Sequence, residues 1–229
     1  MEKSTFFQDT KKHYEILDAL RGIAAILVIV FHLFEIFSGG DHAKQIINHG
    51  YLAVDFFFAL SGFVIGYAYD DRWNKMTLSS FFKRRLIRLH PMIIMGMLIG
   101  VIAYDYSYSP ILFPQIKDVS VWKLILVTLI GCTLIPLTKN FEIRGWGEMH
   151  PLNGPAWSLY YEYIANIFYA LFLHKLPTKI LIALAVIAAF FTINLAVFGE
   201  NGDVIGGWSL DIQQTKVGFS RLAYPFLAG

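Results

Sequence analysis

Long apolar stretches, separated by short polar and aromatic segments, dominate the chain. A helix needs roughly 20 mostly apolar residues to cross the hydrocarbon core of a bilayer. Five stretches reach or approach that length, and we predict that each forms a transmembrane helix. These predicted spans are residues 16–37, 51–69, 91–106 (or from one turn earlier, within 86–89), 157–173 and 180–198.

Two further apolar segments are less regular. Residues 122–137 form a shorter stretch that contains Pro136, so we predict either a span or a re-entrant segment. Residues 221–229, after a polar loop over 199–220, have the character of the opening of another helix. The predicted fold is all-α, a polytopic transmembrane helix bundle with about six to seven spans. We expect a single transmembrane domain over residues 1–229, truncated at its C-terminus.

The composition agrees with burial in lipid. Hydrophobic residues make up 56% of the chain and charged residues 16%, and the mean hydropathy is +0.52. Ordinary globular domains contain roughly 45–50% apolar and about 25% charged residues. The formal net charge of +2 is too small to indicate a nucleic-acid partner. Because Cys132 is the single cysteine, neither an internal disulfide nor a thiolate metal cluster can form, and we expect no metal cofactor.

The distribution of basic residues predicts the orientation of the chain. The loop before the second predicted span carries only Lys44 against Asp41. By the positive-inside rule, the basic loop after that span and the N-terminus are therefore cytoplasmic. The later loops carry little net charge, so the orientation of the later spans depends on whether residues 122–137 cross. The basic loop contains Arg72, Lys75, Lys83, Arg84, Arg85 and Arg88, against Asp70 and Asp71.

Ionisable residues inside predicted spans are candidates for function, because each costs about 2.5–3.5 kcal/mol to insert. Arg21 and His32 are eleven residues apart, so a helix places them on one face, roughly 16 Å apart along its axis. Asp18 can pair with Arg21, which leaves His32 as the titratable group deep in the span. His32 is either a structural histidine satisfied by Glu35 or a backbone carbonyl, or a general base for a hydroxyl.

The second predicted span contains Asp55 near its outer end and Ser61 and Gly62 near its middle. The carboxylate of Asp55 either orients His32 or caps a neighbouring group. Gly62 permits close helix packing, and Ser61 can form a hydrogen bond across the contact, so a structural role is the simpler interpretation of this pair.

A turn at residues 153–155 precedes a predicted helix that carries Glu162. The spacing i, i+4 places Glu162 beside Asn166, and Trp157 beside Tyr161. An isolated glutamate in an apolar helix is more often a structural hydrogen-bonding group than a catalytic one.

The basic run before the third predicted span contains Arg85 and Arg88 at positions i and i+3. If this run is helical, both guanidinium groups project from one side and suit phosphate oxygens. The spacing alone favours the alternative, a positively charged anchor for anionic lipid.

In their order and spacing, four of these segments resemble the acyltransferase 3 family, whose membrane enzymes O-acylate bacterial polysaccharides and related glycans. The resemblance extends over essentially the whole chain. It depends on residues 17–22 followed by His32, and on residues 50–63, 81–91 and 153–166.

The resemblance implies a bundle of about ten helices and assigns roles to particular residues. Arg21 and His32 match the family's Arg-x10-His pattern and would lie at the catalytic centre. Arg85 and Arg88 match its Arg-x-x-Arg pattern, which is implied to bind the 3′-phosphate of coenzyme A. We include the neighbouring Arg84 among the cofactor-binding candidates. Two further candidates are Glu162, which matches the acidic residue after Trp-Ser-Leu, and Asp55. His90 departs from the family's pattern, which more often has an aromatic residue before the proline, and its role is open.

The implied function is transfer of an acyl group, with acetyl expected, from acyl-CoA to a carbohydrate hydroxyl of a cell-surface or exported glycan. The implied partners are acetyl-CoA as co-substrate, a glycan or lipid-linked saccharide acceptor, and membrane lipid. The implied location is the bacterial cytoplasmic (inner) membrane. In this hypothesis His32 is the base, Glu162 or Asp55 orients it or takes the proton, and Arg21 stabilises developing charge or the phosphates of the donor. Direct transfer and a covalent acyl-histidine both remain open.

Two alternatives remain at this stage. The first is a proton-coupled transporter, in which the ionisable residues of the spans form a relay. The second is an inactive remnant of a longer enzyme. The relay residues would be Asp18, Arg21, His32, Asp55 and Glu162.

Overall fold

A computed structural model of the chain describes residues 11–41, 44–199 and 202–229. Within these ranges the fold is all-helical, with seven α-helices joined by loops and short 3-10 turns, and no strand longer than an isolated bridge between Ser109 and Phe113. The helices are α1 (Glu15–Phe37), α2 (Leu52–Tyr69), α3 (Leu78–Ile102), α4 (Val121–Cys132), α5 (Ala156–Leu171), α6 (Thr178–Phe198) and α7 (Ile212–Ala228).

Four helical segments of the described chain are long and apolar enough to cross a membrane: α1, α2 with the turn that follows it, α3 and α6. The predicted all-α membrane bundle is confirmed. Helix α4 has 12 residues and ends before Pro136. A helix of that length is about 18 Å long, which is shorter than a hydrocarbon core of about 30 Å. Therefore α4 does not cross by itself.

Helix α3 corrects the prediction that the third span begins at or just before Pro91. It begins at Leu78, where the Thr77 hydroxyl accepts a hydrogen bond from Ser80 N at 3.2 Å, and it continues through Pro91. A proline inside a helix removes one backbone hydrogen bond. Buried contacts on both sides of it, at Phe81 and Ile93, hold the helix together. As a consequence, the basic run 83–88 lies on the helix.

Helix α7 begins at Ile212, nine residues before the apolar segment that predicted it. Asp211 caps this helix, because its carboxylate accepts a hydrogen bond from Gln214 N at 2.8 Å. Helix α7 packs against α2 and α6. A side-chain carbon at Gly62 would overlap the backbone oxygen of Phe226, so the close packing predicted at Gly62 is confirmed at the contact between α2 and α7.

Helix α1 lies at the side of the bundle. Only Ala24 and Phe31 of this helix are buried, and most of its large apolar side chains are exposed in the chain as described. One large hydrophobic cluster packs α2, α3, α5 and α7 together around Phe81 and Tyr161, and a second lies between α3, α4 and the loop before α5. The face of α1 that carries its charged residues borders the cavities described next.

Candidate active site

His32 lies on α1 and borders a cavity with a volume of about 730 Å³. Its Nδ1 atom is 2.8 Å from Glu35 Oε2, one turn further along the helix. Glu35 is therefore the partner of this histidine, as one of the two sequence interpretations expected. Because the His32 side chain is 39% exposed, the ring remains accessible from the cavity.

Arg21 lies on the same helix as His32 but borders a different cavity. Its Nη1 donates to Asp18 Oδ1 at 2.7 Å, which confirms the predicted ion pair. Arg21 lines a second cavity, of about 250 Å³, together with Arg85, Arg88 and Glu162. Three segments that are far apart in sequence therefore meet at this second cavity.

Glu162 is held by two donors on its Oε1 atom. Arg85 Nη2 donates to it at 2.7 Å, and Ser61 Oγ donates to it at 2.8 Å. The Arg85 side chain is only 3% exposed, so this is a buried ion pair at the centre of the bundle. Glu162 and Asn166 lie one turn apart on α5, as their i, i+4 spacing predicts, but no hydrogen bond joins them, because both amide atoms of the buried Asn166 lack a partner in the described structure.

Asp55 also pairs with an arginine and not with His32. Arg221 Nε on α7 donates to Asp55 Oδ1 at 2.8 Å, and the other nitrogens of Arg221 donate to the carbonyls of Gly206 and Tyr51. The Arg221 guanidinium also lies 5.0 Å from the ring centroid of Trp157. The expectation that Glu162 or Asp55 orients His32 is therefore corrected, since Glu35 contacts the ring. Sequence analysis did not single out Arg221. The sequence feature that could have indicated it is an arginine at the start of an apolar stretch.

The three arginines of the basic run lie in three different environments. Arg85 and Arg88 line the same cavity, as their i, i+3 spacing on a helix predicts. Arg88 also lines a third cavity, of about 290 Å³, together with Lys11 and Lys12. Arg84 is exposed and lines none of these three cavities, because one residue along a helix is a rotation of about 100°. Its place among the cofactor-binding candidates therefore stays a prediction from the sequence.

The three cavities follow one another along α1. The third borders residues 17–21, the second borders Arg21, and the first extends from Val28 to Gly40. The start of helix α5 borders two of these cavities. Gly154, Pro155 and Trp157 border the first cavity, and Ser158 and Glu162 border the second. A row of cavities that contain charged side chains therefore follows one side of the bundle from the N-terminal to the C-terminal end of α1.

A loop that sequence analysis left without a role completes the first cavity. Glu142 holds this loop closed, because its carboxylate accepts backbone N–H groups from Ile143, Arg144, Gly145 and Glu148 at 2.7–3.2 Å. The loop directs Arg144 and Glu148 into the cavity that His32 borders. Burial raises the pKa of Glu148 to about 7, and the nearby Arg144 opposes that rise.

No group of three or more His, Cys, Asp or Glu side chains in the described ranges is placed to hold a metal ion. The chemistry available in the cavities comes from a histidine, carboxylates and guanidinium groups. These can accept a proton, hold an anion and orient a hydroxyl.

The described chain is thus a bundle with four membrane-length helical segments, whose cavities present a histidine, carboxylates and guanidinium groups. The acyltransferase domain family matches residues 14–229, which is nearly the whole chain. The chain therefore belongs to the acyltransferase 3 family, and it is a membrane acyltransferase.

The chain is also similar to individual proteins, two of which are named O-acetyltransferases. The chain is 31% identical over 169 residues to Protein 2 in picA locus of Rhizobium radiobacter. This aligned region covers 71% of this chain and 84% of that protein. It is 27% identical over 217 residues to O-acetyltransferase OatA of Staphylococcus aureus, covering 88% of this chain but 33% of that protein. It is 29% identical over 120 residues to Peptidoglycan O-acetyltransferase OatA of Listeria monocytogenes, covering 51% of this chain and 17% of that protein. The chain thus spans a third or less of the two OatA proteins. No solved structure matches it.

Proposed function

We propose that the protein transfers an acyl group, with acetyl expected, from acyl-CoA to a hydroxyl of a cell-surface or exported glycan. The family membership and the names of the two OatA relatives support O-acetyl transfer to a glycan. The observation that carries the proposal is the row of cavities along α1. It offers a basic entrance at one end and the histidine at the other.

The donor enters at the basic end in this proposal. Lys11, Lys12, Arg21 and Arg88 surround the outermost cavity, and their charges suit the phosphates of coenzyme A. Arg85 faces inward, where Glu162 balances its charge. Arg88 is therefore the member of the Arg-x-x-Arg pair that we assign to phosphate contact, and Arg85 and Glu162 form a fixed wall beside the thioester.

The acceptor reacts at the His32 end. With Nδ1 held by Glu35, the ring presents Nε2 to the cavity as the proton acceptor. As Nε2 takes the hydroxyl proton, the hydroxyl oxygen bonds to the acyl carbon and the carbon–sulfur bond breaks. The departing thiolate then takes the proton from His32, which restores the neutral ring. In the covalent variant, Nε2 attacks the acyl carbon, the carbon–sulfur bond breaks and the thiolate leaves. The acceptor hydroxyl then displaces the ring from the acyl carbon, and the hydroxyl proton ends on the thiolate.

The same arrangement supports an orientation. The basic entrance lies near the N-terminal end of α1, which the positive-inside rule assigns to the cytoplasm. Coenzyme A would therefore enter from the cytoplasm of the bacterial inner membrane, and the acceptor would meet His32 nearer the opposite side.

Transfer from radiolabelled acetyl-CoA in membranes that contain the full-length protein tests the proposal. We expect His32→Ala to lower labelling of glycan at least about 100-fold, because a general base contributes roughly 100- to 10,000-fold. His49→Ala is the matched control, since His49 is an exposed loop histidine outside these cavities. Retained transfer in the His32 variant would refute the assignment.

Coenzyme A binding separates this proposal from proton-coupled transport. We expect Arg88→Ala to weaken binding of acetyl-CoA to the purified full-length protein. Arg84→Ala is the control and should leave that binding unchanged, because Arg84 is exposed and lines none of the three cavities. A wild-type protein that binds no acetyl-CoA would favour the transporter.

A further inference from the structure

The wall of the first cavity opposite α1 is built from aromatic and charged side chains that the transfer mechanism does not use. Phe113 and Trp146 contribute rings, and Arg144 and Glu148 contribute charge. We call these four residues the aromatic–charged wall. All four lie outside the helices of the bundle, on the loops at 103–120 and 133–155.

The aromatic–charged wall is rigid before any ligand arrives. The Trp146 indole nitrogen donates to Leu112 O at 3.1 Å, and its ring lies 4.8 Å from that of Phe113. The Arg144 guanidinium lies 4.3 Å from the centroid of the Phe113 ring. Together with the four backbone bonds to Glu142, these contacts fix the positions of the side chains and so reduce the entropy lost on binding.

The charged members retain hydrogen-bonding capacity. Arg144 and Glu148 contact each other through a single pair of atoms, at 3.2 Å. Arg144 Nη1 also donates to Pro151 O at 3.4 Å, and the Arg144 Nε atom is buried out of reach of the cavity. The carboxylate of Glu148 lies against the backbone of Gly154. A side-chain carbon at position 154 would overlap this carboxylate, so the contact requires a glycine. Donors and acceptors are therefore present beside an aromatic surface, and His32 lies across the same cavity.

This combination fits a pyranose ring. A sugar ring has C–H faces that stack on the π surface of an aromatic side chain, and hydroxyls on its rim that bind carboxylate and guanidinium groups. The cavity of about 730 Å³ lies within the range of roughly 300–1,000 Å³ usual for ligand sites. The phosphates of coenzyme A, in contrast, suit the basic cavities at the other end of α1.

We infer that the aromatic–charged wall is the acceptor subsite, where one pyranose ring of the glycan stacks on Trp146 and is held by Arg144 and Glu148. The hydroxyl to be acylated then faces His32 across the cavity. This inference depends on the proposed function. It makes the four residues positioning residues, which act on the acceptor and leave the donor unaffected.

The test measures Michaelis constants for the two substrates separately. The full-length protein is assayed in membranes with radiolabelled acetyl-CoA and with total cell-surface glycan extracted from the producing bacterium. We expect Trp146→Ala and Glu148→Gln to raise the apparent KM for glycan at least about 10-fold. The KM for acetyl-CoA should stay within about 2-fold of the wild-type value, and Trp146→Phe should restore most of the glycan KM.

Two further variants separate binding from folding. Gly154→Ala displaces the Glu148 carboxylate without changing a charge, and it should raise the glycan KM in the same direction. Trp122→Ala removes a tryptophan that is 80% exposed at the start of α4, and it should change neither constant.

Three results would overturn the inference. An unchanged glycan KM would show that the wall does not bind the acceptor, and a rise confined to acetyl-CoA would assign it to the donor. An equal rise in both constants would indicate a structural role. If the wild-type protein transfers no label to any glycan, the proposed function itself fails, and the inference fails with it.

Discussion

At the scale of single residues, the charges inside the bundle occur in pairs. Asp18 with Arg21 and His32 with Glu35 are pairs within α1, whereas Glu162 with Arg85 and Asp55 with Arg221 join different helices. Burying one uncompensated charge costs several kcal/mol, so each member of a pair lowers the free-energy cost of burying its partner. The conclusion for function is that Glu162 and Asp55 are fixed by arginines, while His32 has its own carboxylate.

The pair of Arg85 and Glu162 gives a prediction for stability. Glu162→Gln leaves the Arg85 guanidinium buried without a counter-charge, so we expect a loss of about 3–5 kcal/mol. Thermal unfolding of the purified full-length protein in detergent measures this loss. Asp71→Asn is the control, because it breaks an exposed pair with Lys11 and should leave the melting temperature unchanged. Equal melting temperatures for the Glu162 variant and the wild type would contradict the prediction.

His150 gives a prediction for acid stability. Burial lowers the pKa of this loop histidine from 6.5 to about 4, and neither ring nitrogen has a partner in the described structure. The unfolded chain therefore binds a proton that the folded chain does not bind between these pH values. The stability that the neutral ring contributes is present above pH 6.5 and is lost as the pH falls toward about 4.

The measurement compares His150→Leu with the wild type at two pH values. Relative to the wild type, the leucine variant should be more stable at pH 5 than at pH 7.5, because it has no proton to bind. Glu148, whose pKa is raised, contributes in the opposite direction and is present in both proteins, so it cancels in the comparison. A difference that does not change with pH would show that His150 does not titrate in this way.

At the scale of elements, the helices approach closely where glycines remove side chains. A side-chain carbon at Gly62 of α2 would overlap the Phe226 backbone of α7, and one at Gly100 of α3 would overlap the Leu152 backbone. Small residues allow helices in a membrane to pack backbone to backbone. The same contact between α2 and α7 lies beside the pair of Asp55 and Arg221, so packing and charge compensation hold the same two helices together.

Gly62→Ala tests that contact. The added methyl group meets backbone, which cannot move aside as a flexible side chain can, so we expect a loss of about 1–3 kcal/mol in detergent unfolding. Gly22→Ala on α1 is the matched control, since no atom lies within 4 Å of the added carbon. The control should be neutral or slightly stabilising, because alanine is the better helix former. Equal losses in both variants would exclude packing as the cause.

At the scale of the whole molecule, the row of cavities connects two ends of the bundle that we assign to opposite sides of the membrane. The cavities share α1, and consecutive ones share α5 or Arg21 and Arg88. This arrangement suits a reaction in which the donor and the acceptor come from different compartments.

Cysteine labelling of the full-length protein in intact cells tests the orientation. After Cys132→Ser, we expect Lys83→Cys, exposed on α3, to resist a membrane-impermeant maleimide until the cells are permeabilised. Ser38→Cys, just after the end of α1, should react in intact cells. The reverse pattern would invert the proposed orientation.

The sequence by itself determined the class of fold and the sharing of faces along single helices. Apolar length and the i, i+3 spacings are local properties, so they correctly predicted the bundle, the pair of Asp18 and Arg21 and the common cavity of Arg85 and Arg88. The orientation drawn from the positive-inside bias stays a prediction, and Arg21 and His32, at i and i+11, border different cavities. The start predicted for the third span was wrong, because α3 continues through Pro91, where buried contacts on both sides outweigh one lost backbone bond.

Only the tertiary structure decided which charges meet. Glu162 pairs with a residue 77 positions away, and Asp55 pairs with one 166 positions away. Which partners compensate each other depends on how helices pack, and helix packing depends on the shapes of whole surfaces. For the same reason, the loop that carries Arg144 and Glu148 gave no local signal for its place opposite His32.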